Sequence, residues 1–200
     1  QITKALIHAK KHGFYHCDIK PENILLRNEN EFVISDWDLA KSTNTNIISL
    51  NHGSTLTMAP EIMLGELSEN SDVYSLGCLL YFCLFGKRVF GLKTSTPQYQ
   101  RVLTHLETKF ELPQNNLSED FQKILISMLH KNPKQRVSLE EIYNFLNKKI
   151  DFYFAYMGGS DVRIDFLEKG RCDFIILSKL AMLEALKQGK NIEGAYKFGE

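Results

Sequence analysis

The chain has 200 residues, enough for one domain with one sizeable core and an appendage. Its 24 basic and 24 acidic side chains cancel, so no basic field favours nucleic acid or an anionic membrane surface, and neither partner is expected. Cys17, Cys78, Cys83 and Cys172 form no CxxC pair, which argues against a disulfide framework and for the cytoplasm or another reducing compartment.

The opening segment, "QITKALIHAKKHG", carries Ile2, Ala5, Leu6 and Ala9 on one helix face, and Gly13 supplies a stop. This helix begins at residue 1 without a cap or an initiator Met, which suggests a fragment of a longer chain. Next come two short apolar segments, residues 24–26 and 32–34, flanking the turn-prone "RNENE". They predict a small β-hairpin, whose ends would bring a loop holding Asp18, Lys20 and Asn23 beside a loop holding Asp36. From there to "MAPEIM" no periodicity is visible, and a long loop is expected.

The remainder reads as helical. Ser71 or Asp72 opens a helix through Leu84 that contains "YSLGCLLYFCLF", too short and too closely flanked by charge to span a bilayer. Thr96 followed by Pro97 suggests a cap with proline at the first helical position. Ser118 precedes a helix stopped near "NPK", and Ser138 with Glu141 forms a capping box ahead of "IYNFL". The fold class expected is therefore mainly α, or α+β overall: a helical bundle with a small β-hairpin. His8, His12, His52, His105 and His130 have no carboxylate or cysteine at ligand spacing and receive no role.

Five ordered motifs carry a resemblance. "HCDIKPEN" is similar to the catalytic loop of eukaryotic-type protein kinases, and "DWD" stands where their DFG triplet belongs. "MAPE" contains the APE signature, "DVYSLGCLLY" resembles the central helix, and "NPKQR" resembles the segment that supplies a late arginine. Over residues 1–147 the chain thus resembles the C-terminal lobe of a Ser/Thr protein kinase, with residues 148–200 as a C-terminal extension.

The resemblance implies a chemistry. Phosphoryl transfer asks the protein mainly to orient a hydroxyl and neutralise phosphate charge. Asp18 would orient the attacking hydroxyl of a protein substrate. Lys20 would hold the transferred phosphate of ATP, and a lysine there resembles Ser/Thr rather than tyrosine kinases. Asn23 and Asp36 would supply hard oxygen ligands to Mg²⁺. His16 and Trp37 would pack between the two loops, Asp72 would hold the catalytic-loop backbone, and Glu61 would pair with Arg136.

Departures from the family pattern are also informative. Cys17 replaces the arginine that receives an activation-loop phosphate, so this is a non-RD sequence. Asp38 replaces the glycine of DFG and would make a positive φ costly. Trp37 replaces the phenylalanine and would fill the same apolar slot. No glycine-rich loop and no VAIK-type lysine occurs, so these residues by themselves are not expected to bind ATP productively. In the extension, Phe174, Leu177, Leu180, Ala181 and Leu183 or Ala185 suggest an amphipathic helix, either packed on the lobe or offered to a docking partner. Two function classes follow: a kinase catalytic lobe, or a pseudokinase-like scaffold without catalysis.

Overall fold

A fifteen-residue helix, α3 (Ser71–Phe85), has eleven residues buried, apolar on every side, and so must be surrounded by other elements. The computed structural model describes residues 1–28, 31–44, 54–115 and 117–154, with side chains through residue 147. The helix expected from Phe174 onward therefore lies outside the described residues. On one side of α3, Tyr74, Cys78, Tyr81 and Leu84 meet Met58, Ile62, Phe121 and Leu125. On the other, Val73, Leu76 and Leu79 meet Leu6, Ile19, Met128, Leu139 and Ile142. Gly77 lies where the helix ending at Met128 packs: a Cβ there would stand 3.0 Å from Met128 Cβ and 3.2 Å from Leu129. Glycine permits that approach, and Gly86 (φ 62°) then ends α3 in the left-handed conformation.

The described chain is mainly helical. Besides α3 it contains α1 (Ile2–Lys11), α2 (Pro60–Met63), α4 (Gln98–Glu107), α5 (Glu119–Met128) and α6 (Leu139–Phe154). Ser118 caps α5 by accepting from the Phe121 N–H. Ser138 and Glu141 exchange bonds at α6: the Glu141 N–H donates to Ser138 Oγ (3.2 Å), and the Ser138 N–H donates to Glu141 Oε2 (2.9 Å). Thr96 is not a cap. Preceding a proline, it is held off the helix, Pro97 is itself extended, and α4 starts at Gln98. The Thr96 hydroxyl instead accepts from the Lys93 N–H (3.0 Å).

Among the described residues, four short strands form two antiparallel pairs. β2 (Ile24–Asn28) pairs with β3 (Glu31–Ile34) in the register Ile24↔Ile34, Leu25↔Val33 and Leu26↔Phe32. β1 (Phe14–Tyr15) pairs with β4 (Lys41–Ser42). The second pair has no signal in the sequence, since two-residue strands show no alternation. It matters because it ties the segment after Asp36 to the segment entering Asp18. Among the described residues, no helix is long and apolar enough to cross a membrane.

Candidate functional site

The turn at residues 16–23 is fixed from beneath by α3. The Asp72 carboxylate accepts the His16 N–H at 2.7 Å and the Cys17 N–H at 2.8 Å. Burial pushes the Asp72 carboxyl up, and those two N–H donors oppose the shift by favouring its charged form. Two successive amides can point at one carboxylate because Cys17 is left-handed, with φ 65°. The Cys17 side chain is buried, its thiol donates to the Tyr15 carbonyl, and burial pushes its pKa to about 12.

His16 joins this turn to the end of β3. Its Nδ1 accepts the Asp18 N–H at 3.2 Å, so Nε2 carries the hydrogen that reaches the Ser35 carbonyl at 3.0 Å. Trp37 stands edge-on to the His16 ring, with centroids 4.6 Å apart, and its Nε1 donates to the Ile34 carbonyl. The two aromatic residues thus pack between the loops. Trp37 does not fill a closed slot, however: it is 38 % exposed.

Asp18, Lys20 and Asn23 are brought together. Asp18 is 3 % exposed, and both of its carboxylate oxygens are engaged. Oδ2 accepts from Lys20 Nζ at 2.5 Å and from Asn23 Nδ2 at 3.1 Å, while Oδ1 accepts the Ser54 N–H at 3.0 Å. Asn23 Nδ2 also donates to the Asp18 carbonyl at 2.9 Å. Those contacts spend the amide hydrogens and fix which end of Asn23 is oxygen, leaving Oδ1 as a carbonyl ligand. The 3₁₀ turn Pro21–Asn23 delivers this residue to the site.

Asp36 does not touch that trio. It is exposed, and its side chain makes no hydrogen bond or ion pair among the described residues. It lies close through its neighbour, since Ser35 donates both its N–H (2.9 Å) and its hydroxyl (3.2 Å) to the Asn23 carbonyl. The positive φ expected to trouble Asp38 falls on Asp36 instead (62°). Aspartate tolerates that conformation better than most residues, so replacing the glycine adds charge without strain at position 38.

Among the described residues, no three His, Cys, Asp or Glu side chains converge into a metal cage. Asn23 Oδ1 and the Asp36 carboxylate fit a divalent cation that takes its other ligands from phosphate and water. Sequence reasoning missed the backbone donor of Ser54, the two hydrogen bonds from Ser35 and the contacts of Arg101 described below. Ser54 and Ser35 act through groups to which the sequence gives no visible signal.

The lower wall of the site is anchored by a buried ion pair. Glu61 on α2 meets Arg136 in two parallel bonds, Nη1–Oε1 at 2.6 Å and Nη2–Oε2 at 2.7 Å. Ser71 donates to the same Glu61 Oε1 at 2.8 Å. Asp72 beneath the turn and Glu61 against Arg136 thus occupy the structural roles implied by the motifs.

Comparison with known proteins identifies the family. A family profile described as "Protein kinase domain" matches residues 1–146, and one described as "YhfZ C-terminal domain" matches residues 138–200, overlapping α6. The chain is 32% identical over 151 residues to serine/threonine-protein kinase cds1 of Schizosaccharomyces pombe, covering 70% of this chain and 33% of that protein. It is 36% identical over 139 residues to serine/threonine-protein kinase AtPK1/AtPK6 of Arabidopsis thaliana, covering 68% and 29% respectively. Against serine/threonine-protein kinase VHS1 of Saccharomyces cerevisiae the identity is 35% over 164 residues, covering 71% and 34%. The chain spans about a third of the length of these curated relatives. With its motifs in order and a family match over most of its length, the chain belongs to the protein kinase family.

Proposed function

We propose that residues 1–147 are the C-terminal, catalytic lobe of a Ser/Thr protein kinase that transfers the γ-phosphate of ATP to a hydroxyl of a protein substrate. The observation that carries the proposal is Asp18: a buried carboxylate held by Lys20 at 2.5 Å and by the Ser54 N–H at 3.0 Å. In this reading Asp18 orients the incoming hydroxyl and receives its proton, and Lys20 leaves Asp18 to meet the transferred phosphate. Bound Mg²⁺ would neutralise phosphate charge, with Asn23 Oδ1 and Asp36 as its protein ligands.

The glycine-rich loop and strand lysine that grip the nucleotide in this family are not among these 200 residues. Productive ATP binding therefore requires an N-terminal lobe joined to this chain. Residues 148–200 would form a separate extension, available to a docking partner. The free thiols of Cys17, Cys78 and Cys83 suit a reducing compartment such as the cytoplasm.

The test is a transfer assay with Mg-ATP and Ser-, Thr- or Tyr-containing peptides, using the chain together with an N-terminal lobe. Phosphate should appear on Ser or Thr, and Asp36→Asn should raise the Mg²⁺ concentration needed for half-maximal rate. Absence of transfer would favour the scaffold reading, for which Cys17 and Asp38 are the sequence arguments.

A further inference from the structure

Residues 54–61 run from the Asp18 carboxylate to the Arg136 ion pair, and α4 touches the middle of that run. Arg101 Nε donates to the Thr96 carbonyl at 2.6 Å, and Nη2 donates to the Thr94 carbonyl. Its remaining edge faces the activation segment, where Nη1 donates to Thr55 Oγ1 at 3.4 Å. One turn further along the same helix face, His105 is fully buried. Its Nδ1 pairs with the Tyr74 hydroxyl at 2.8 Å, and the Leu56 backbone faces the ring without closing a hydrogen bond. Two residues spaced i, i+4 on α4 thus meet two consecutive residues of the segment.

We infer that Arg101 is a positioning residue: through Thr55 it sets the place of Ser54, whose N–H orients the Asp18 carboxylate. This deepens the kinase reading and rests on it for the catalytic consequence. The geometry favours arginine specifically. Its planar fork spans two carbonyls of the 92–97 loop and still offers a third donor edge, whereas a lysine ammonium is a single point that cannot reach all three acceptors. Thr55 is 7 % exposed, so its hydroxyl has little access to water if Arg101 withdraws, and the segment would shift to satisfy it.

The experiment uses the full-length protein with Thr55→Val, Thr55→Ser, Arg101→Lys and the Thr55→Val/Arg101→Lys double variant. Thr55→Val keeps the shape and removes the hydroxyl. Thr55→Val and Arg101→Lys should each lower kcat/KM for the peptide by about ten-fold while KM for ATP stays within about two-fold, as for loss of one charge-assisted hydrogen bond. Thr55→Ser should restore the rate, and the double variant should be no worse than either single change. Amide hydrogen exchange over residues 54–59 should quicken in both single variants. Unchanged exchange, or additive losses in the double variant, would overturn the inference. If the unmutated protein transfers no phosphate, the kinase reading fails, and the exchange measurement alone decides whether Arg101 positions the segment.

Discussion

Arg136 uses all five of its N–H hydrogens, and two of them go to the carboxylate of Glu61, seventy-five residues earlier in the chain. The others reach the carbonyls of His130 (2.7 Å), Asn70 (2.9 Å) and Lys131 (3.0 Å), and the guanidinium lies 5.0 Å from the centroid of the Tyr74 ring. A fully satisfied buried pair of this kind holds α2 on the helical core. Removing one partner strands the other charge in the interior. Arg136→Ala is expected to cost about 3–5 kcal/mol, and Glu61→Ala a similar amount, with the double variant well short of their sum. Denaturant unfolding of the four proteins checks this, and single-variant losses under about 1 kcal/mol would contradict it.

Burial pulls the His105 imidazole pKa down to about 4, from an ordinary 6.5. The folded state therefore resists the proton that the unfolded chain accepts. Stability from this residue is complete above about pH 6.5 and is lost as pH falls from there to about 4, a total of roughly 3 kcal/mol. Between pH 7 and pH 5 the unmutated chain should lose about 2 kcal/mol more than His105→Gln. Parallel stability curves would show that His105 is not buried as described.

How much of this arrangement was legible depends on the range of the interaction. The capping box of Ser138 with Glu141 and the cap at Ser118 are local, with donor and acceptor three residues apart, and the structure contains both. The motif pattern likewise placed Asp72 under the 16–17 amides and Glu61 against Arg136. Contacts made by backbone groups across long separations left no trace, as with Ser54 N–H on Asp18 and the β1–β4 pairing. Thr96 was misleading because a Ser/Thr-Pro pair serves equally to close a turn. Trp37 packs against His16 as its motif position implied, but residue size alone did not show that more than a third of it stays exposed.

Cys17 offers no positive charge to an activation-loop phosphate, and its buried thiol is engaged by the Tyr15 carbonyl. The pairing of β4 with β1 ties Lys41 and Ser42 to the strand that enters the turn at residues 16–23. Activity is accordingly expected to survive phosphatase treatment of the full-length protein, with control coming from partners or from the C-terminal extension. Peptide phosphorylation before and after treatment reads this out. A loss of most activity, restored by rephosphorylating a residue between 43 and 55, would mean that another basic group replaces the missing arginine.

The central claim is that Asp18 orients the attacking hydroxyl, and Asp18→Asn tests it most directly. The asparagine keeps an oxygen for the Ser54 N–H but loses the carboxylate charge that meets Lys20. In the full-length protein, kcat should fall by about 100-fold or more, while KM for ATP stays close to that of the unmutated protein. Turnover within about two-fold of the unmutated enzyme would contradict the account.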